Sequence, residues 1–182
     1  GTKVYFAPYF EDQVGVLDTE TNAFSTISTA QYGNYKYAGA AAMGTKVYFA
    51  PYKQDNVGVL DTTTDTFSTI STTAAGVTAS YKYNGAAAVG NKVYFPPNKE
   101  NNVGVLDTAP IAVTLSATSS DAEINVDVGS TGIDITSGNG TNSVEFTGTI
   151  QQFNDLFAGN EGATLTYTIN TDNPPASDTL TL

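Results

Sequence analysis

Gly1-Thr-Lys-Val-Tyr-Phe-Ala-Pro-Tyr9 returns unchanged as Gly44 to Tyr52, and in altered form as Gly90-Asn-Lys-Val-Tyr-Phe-Pro-Pro-Asn98. The copies begin 43 and 46 residues apart. Each runs on into Val-Gly-Val-Leu-Asp-Thr, at Val14 to Thr19, Val57 to Thr62 and Val103 to Thr108, and the first two continue to Phe-Ser-Thr-Ile-Ser-Thr from Phe24 and Phe67. A further block precedes the second and third copies, as Tyr35-Lys-Tyr-Ala-Gly-Ala-Ala-Ala-Met43 and Tyr81-Lys-Tyr-Asn-Gly-Ala-Ala-Ala-Val89. Periods of about 40 to 50 residues holding several short β-type runs, without helical periodicity, predict propeller-type blades.

Each period resolves into four strand candidates separated by turn chemistry. The Gly-Ala-Ala-Ala run suits an inner position where neighbouring sheets crowd. Lys-Val-Tyr-Phe places Val4 and Phe6 on one face and Tyr5 on the other. In Val-Gly-Val-Leu-Asp, the glycines at 15, 58 and 104 fit close approach of a neighbour. The Phe-Ser-Thr-Ile run closes the set. Pro8, Pro51 and Pro97 are expected to end the Lys-Val-Tyr-Phe strand, because proline lacks a ladder donor. Asp18, Asp61 and Asp107 recur once per repeat, which predicts a turn role, since a catalytic acid is not copied into every unit. Tyr5, Tyr48 and Tyr94 are expected to pack between blades.

Residues 1–108 resemble a kelch-type β-propeller in period and strand content, and their wording is similar to tandem repeats of large microbial and algal surface proteins. Two departures stand out: Ala-Pro or Pro-Pro replaces a Gly-Gly doublet, and Phe24 and Phe67 replace a tryptophan. The strand count is about two and a half four-stranded blades, whereas a closed ring needs at least about four. Three solutions stay open: a segment of a longer array, an open stack, or missing strands supplied by neighbouring molecules. Exposed sheet edges favour pairing, so self-association into an oligomer or filament is expected.

Charge marks a boundary near Thr108-Ala109-Pro110. All seven lysines and nine of the eighteen acids precede it, leaving −2, whereas the remainder carries nine acids and no base. A net charge of −11 repels a phosphate backbone, so nucleic acid is not an expected partner. No apolar run approaches the ~18 residues of a membrane-crossing helix, and membrane insertion is not expected either. The opening Gly1 leads to the expectation of a processed form or fragment. His, Cys, Trp and Arg are all missing from the sequence, which removes thiol nucleophiles, imidazole triads and guanidinium grips; no enzyme activity is expected.

From residue 109 the pattern becomes strict alternation, in Ile111 to Ser116, Glu123 to Val128, Gly132 to Ile135, Ser143 to Gly148, Ala163 to Ile169 and Asp178 to Leu182. Period two with a wet outer face predicts an antiparallel sandwich. Thr149-Ile-Gln-Gln152 is a capping box, Ile150, Phe153 and Phe157 repeat at helical spacing, and Gly159 is a stop signal, so one short helix is predicted. The helix, the Leu-Thr-Tyr-Thr strand and the closing Ser-Asp-Thr-Leu-Thr-Leu resemble the cadherin-like or immunoglobulin-like modules of bacterial adhesins. That resemblance implies an extracellular or cell-surface protein with a structural or adhesive role.

Candidate sites follow from residue type. Asp121, Glu123, Asp172 and Asp178 are admissible calcium ligands, since Ca²⁺ takes several hard oxygens. Ten of eleven tyrosines lie in the repeats, and Tyr35, Tyr37, Tyr81 and Tyr83 are candidates for a surface contact with glycans. A carbohydrate-binding propeller is therefore the alternative function. Asn139-Gly-Thr141 is an N-glycosylation sequon, and the many exposed Ser and Thr admit O-linked sugar. Glu11, Asp12 and Glu100 are the acids a hydrolase reading would need; adjacent acids in a variable loop read better as solubility.

Overall fold

In the computed structural model, which describes residues 1–77, 79–170 and 180–181, all three Lys-Val-Tyr-Phe copies are strands. The chain is all-β and divides into two compact units, Gly1–Thr108 and Ala109–Leu182.

Three antiparallel sheets make up the first unit. The first is β1 (Lys3–Phe6), β2 (Gln13–Asp18) and β3 (Phe24–Ser28), in that order. The second is β4 (Tyr37–Met43), β5 (Lys46–Pro51), β6 (Asn56–Asp61) and β7 (Thr66–Ser71). The third is β8 (Ala87–Val89), β9 (Lys92–Phe95) and β10 (Gly104–Asp107). None closes on itself. Equal sequence gives equal register: Val4 faces Leu17, Val47 faces Leu60 and Val93 faces Leu106. Asn22 and Asp65 take positive φ in the turns that lead into β3 and β7, a conformation these side chains tolerate. Pro51 is the last residue of β5, while Pro97 forms an isolated bridge with Tyr83. The predicted inner strand is shorter in the third sheet, where only Ala87–Val89 pairs.

The period-two pleat gives the second sheet two apolar faces, and both are used. Val47, Phe49 and Leu60 meet Val14, Val16 and Tyr5 of the first sheet, with Ile27 and Phe67 at the margin. On the other face Tyr48, Ala50, Val57 and Val59 meet Val93, Phe95 and Leu106 of the third. The core of this unit thus lies between sheets, in two layers. Fully burying one Phe or Val side chain contributes about 1.5–3 kcal/mol, so each layer supplies a large share of the unit's stability. Small residues let the second and third sheets touch: Gly39 has φ +105°, and a Cβ there would sit 2.6 Å from Gly85 Cα. The Gly85 N–H donates to the Ala38 carbonyl across this approach.

In the second unit, β11 (Ile111–Ala117), β13 (Asp134–Ser137), β14 (Ser143–Gly148) and β16 (Leu180–Thr181) form one sheet in the order β13-β14-β11-β16. The other is β12 (Ala122–Asp127) with β15 (Thr164–Ile169). Alternation turns Leu115, Ile124, Val126, Val144 and Phe146 into one core. Helix α1 (Ile150–Phe157) adds Phe153 and Leu156 to that core. It starts where the capping box predicts: Thr149 Oγ1 accepts from the Gln152 N–H, and Gln152 Oε1 accepts from the Thr149 N–H. Gly159, with φ 68°, ends it.

Candidate functional site

The Tyr-Lys-Tyr segments decide the surface chemistry of the repeats. Each leads into the first strand of its sheet and threads between the loops of two sheets. The Lys36 N–H donates to the Tyr9 carbonyl and the Lys36 carbonyl accepts from Tyr52. One repeat later, the Lys82 N–H donates to the Tyr52 carbonyl and its carbonyl accepts from Asn98. Alternation predicts that the lysine points away from the tyrosine after it. Both are nevertheless buried, and the residues before them, Tyr35 and Tyr81, leave the extended region with φ of 62° and 64°.

Both lysines are buried, and each holds the loop of the preceding sheet. Lys36 Nζ donates to Asp12 Oδ1 at 2.8 Å, the Phe10 carbonyl at 2.9 Å and the Gly33 carbonyl at 2.6 Å. Three acceptors match the three donors of an ammonium. Lys82 Nζ pairs with Asp55 Oδ1 at 2.8 Å and reaches the Lys53 carbonyl at 3.4 Å. Asn101 stands at the corresponding place in the third copy, so that position offers no carboxylate.

Tyr37 and Tyr83 are buried as well, which corrects the expectation that they offer a surface contact. Tyr37 packs on Phe49 and Phe67 and donates to Asn56 Oδ1; burial pushes its phenol above the ordinary range. Tyr83 lies on Phe95, and its buried hydroxyl has no hydrogen-bond partner among the described residues. Burial, with a smaller contribution from Glu100, raises its pKa as well. These rings fill the room a glycine leaves: a Cβ on Gly58 would meet the Phe67 ring at 2.6 Å and Tyr37 at 3.1 Å, and one on Gly104 would meet Tyr83 at 2.8 Å.

Tyr35 and Tyr81 do reach the surface, with two partners that sequence reasoning passed over. Tyr9 and Tyr52, which follow the strand-ending prolines, bring their rings within 5.6 Å of each other. Tyr9 lies 5.3 Å from Tyr35, and Tyr52 lies 5.1 Å from Tyr81. Lys53 Nζ sits over both Tyr35 and Tyr81, at 4.8 and 5.0 Å, and Lys99 sits over Tyr81 at 4.9 Å. The signal was the recurring Pro-Tyr at 8–9 and 51–52. Beside this cluster opens a cavity of about 340 Å³ lined by Ala7, Tyr9, Tyr37, Ala38, Gly39, Tyr52 and Asn84. Partial burial, then the contact with Tyr52, raises the Tyr9 phenol, which stays a neutral donor at pH 7. A cavity with tyrosine walls and the Asn84 amide can stack an apolar ring face and bond hydroxyls.

The acids take structural places. Asp18 Oδ1 accepts from the Glu20 and Thr21 N–H groups, which lowers its pKa. Asp61 is lowered to about 2, first by the Thr63 hydroxyl and N–H and then by Lys46. Asp107 pairs with Lys92 at 2.7 Å. Asp12 belongs to the Lys36 clamp, and Glu100 accepts from the Ala79 N–H. Glu11 is exposed in the loop before β2.

In the second unit, Asp121 precedes β12 and Glu123 lies on it, while Asp172 and Asp178 lie outside the described residues. Among the described residues no three His, Cys, Asp or Glu side chains converge as a metal site. The Asn139 amide bonds both ways to Val126, accepting from its N–H at 2.8 Å and donating to its carbonyl at 3.1 Å. One of its two N–H groups thus pins the turn to β12.

No protein-family model matches the chain, and no curated protein is significantly similar to it.

Proposed function

We propose that the chain is an extracellular structural or adhesive protein, a subunit of a surface filament or array whose role is carried by assembly. In this reading the first unit is an arc of kelch-like propeller blades and the second an immunoglobulin- or cadherin-like module. The observation that carries it is bare apolar surface on the first and third sheets, where Val4, Phe6 and Phe24, and Val103 and Val105, lie exposed. Apolar side chains so grouped on a sheet mark a surface that is covered in use. Sedimentation velocity and negative-stain microscopy across a concentration series test it. Particles larger than one chain, growing with concentration, are expected; single chains at every concentration overturn it.

A second reading, carbohydrate binding, is favoured by the cavity between Tyr9, Tyr52 and Asn84. On a glycan array, binding that disappears in Tyr9→Ala and Tyr52→Ala supports it, and an array without hits removes it.

A further inference from the structure

We infer that the bare face of the first sheet and the bare face of the third are the two halves of one joint, and that a second copy of this chain covers each. This rests on the assembly reading and adds the surface, the orientation and the partner.

The repeat itself identifies what each face fits. Inside the molecule, every joint is made by the same two surfaces. The leading surface carries Val and Phe of Lys-Val-Tyr-Phe with the Leu of Val-Gly-Val-Leu: Val47, Phe49 and Leu60 in the second sheet, Val93, Phe95 and Leu106 in the third. The trailing surface carries the Tyr of Lys-Val-Tyr-Phe and the two valines of Val-Gly-Val: Tyr5, Val14 and Val16 in the first sheet, Tyr48, Val57 and Val59 in the second. Leading meets trailing at both joints.

One surface of each kind is left over. The first sheet's leading surface is Val4, Phe6 and Leu17, with Phe24 in the place of Phe67. Phe6 is 47% exposed where Phe49 is 0%, and Phe24 is 65% exposed. The third sheet's trailing surface is Tyr94, Val103 and Val105, with Val89 beside it in the place of Met43. Val103 and Val105 are 52% and 54% exposed where Val57 and Val59 are 4% and 5%. Side chains of the same type in the same register are thus buried at two joints and bare at the ends. A copy of this chain offers the leading surface that the third sheet lacks and the trailing surface that the first lacks.

Such a contact is heterologous, head to tail, and runs face on face; it does not extend a ladder at a strand edge. It also has fewer parts than the internal joints. The first sheet has no counterpart of β4, and the third sheet's loop carries Asn101 where Asp12 and Asp55 hold a lysine. Association is therefore reversible and depends on concentration.

The test blocks one surface at a time in the 182-residue chain. Phe24→Asp puts a charge on the leading surface, and Val105→Asp puts one on the trailing surface. Each variant alone should lose association by more than about tenfold, and the two mixed should form discrete 1:1 dimers, because each still offers the surface its partner needs. Circular dichroism checks folding, and Val4→Asp with Val103→Asp serves as a second pair. If the unaltered chain is monomeric throughout, the assembly reading and this inference fall together. If it assembles and both variants assemble equally well, only the face-on-face joint is overturned. Variants that block assembly alone and stay apart when mixed also overturn it, since they indicate a self-complementary contact.

Discussion

The two joints of the first unit are built from nearly the same words, yet they are not equally complete. Between the first and second sheets, Lys36 has three acceptors, the Tyr37 hydroxyl has Asn56, and Phe67 of the fourth strand covers Gly58. Between the second and third, Lys82 has one carboxylate and a long carbonyl contact, the Tyr83 hydroxyl is orphaned, and Tyr83 alone covers Gly104. The second sheet has four strands and the third has three. A repeat therefore specifies its own strands, but the quality of a joint depends on what the adjoining sheet contributes.

The largest expected effect that sharpens this contrast is at the covered glycines. Gly58→Ala forces a methyl against two rings in a filled layer and should cost about 2–3 kcal/mol in urea unfolding. Gly104→Ala should cost less, with one ring to displace. Gly15→Ala should cost least, since its only close ring belongs to the exposed Phe24. Equal losses at all three would break the contrast.

Next in size are the lysine clamps. Asp55→Asn removes the charge that faces the buried Lys82 ammonium, whose other contact is a 3.4 Å carbonyl, and about 2 kcal/mol of destabilisation is expected after allowing for the largely exposed carboxylate. Asp12→Asn leaves Lys36 two good carbonyls and should cost about half as much. Hydrogen exchange at the Lys36 and Lys82 amides would locate each loss at its own joint.

The smallest effect is at the tyrosines. Tyr37→Phe removes a buried hydrogen bond and takes the tyrosine donor from Asn56 Oδ1, at a cost of about 1 kcal/mol. Tyr83→Phe removes an orphaned hydroxyl and should be neutral or mildly stabilising. Thermal unfolding of the pair, read side by side, would contradict the assignment if the order reversed.

What could be read from the sequence was local or repeated. Capping at Thr149 and Gln152, the stop at Gly159, and alternation from Ile111 to Ser116 each act within a few residues, and each has its expected structural counterpart. The burial of Lys36 and Tyr37 was hidden because their partners, Asp12 and Asn56, lie 24 and 19 residues away in sequence, and because the positive φ falls on Tyr35, a residue type that does not favour it. The surface cluster was half legible: Tyr35 and Tyr81 stood out, while Tyr9 and Tyr52 looked like residues trailing a strand. Their meeting depends on loops from successive sheets coming side by side, which no single period records. The orphaned Tyr83 hydroxyl was invisible for the same reason.

The layered arrangement of the first unit has a bearing on length. When every contact plane uses one pair of surfaces, inserting another period adds a whole plane of burial and leaves the number of unsatisfied termini the same. The fixed penalty at the extremities is then spread over more units, so cooperativity and thermal resistance grow with copy number. Gene-level duplication of this period is a direct physical route to a sturdier protein.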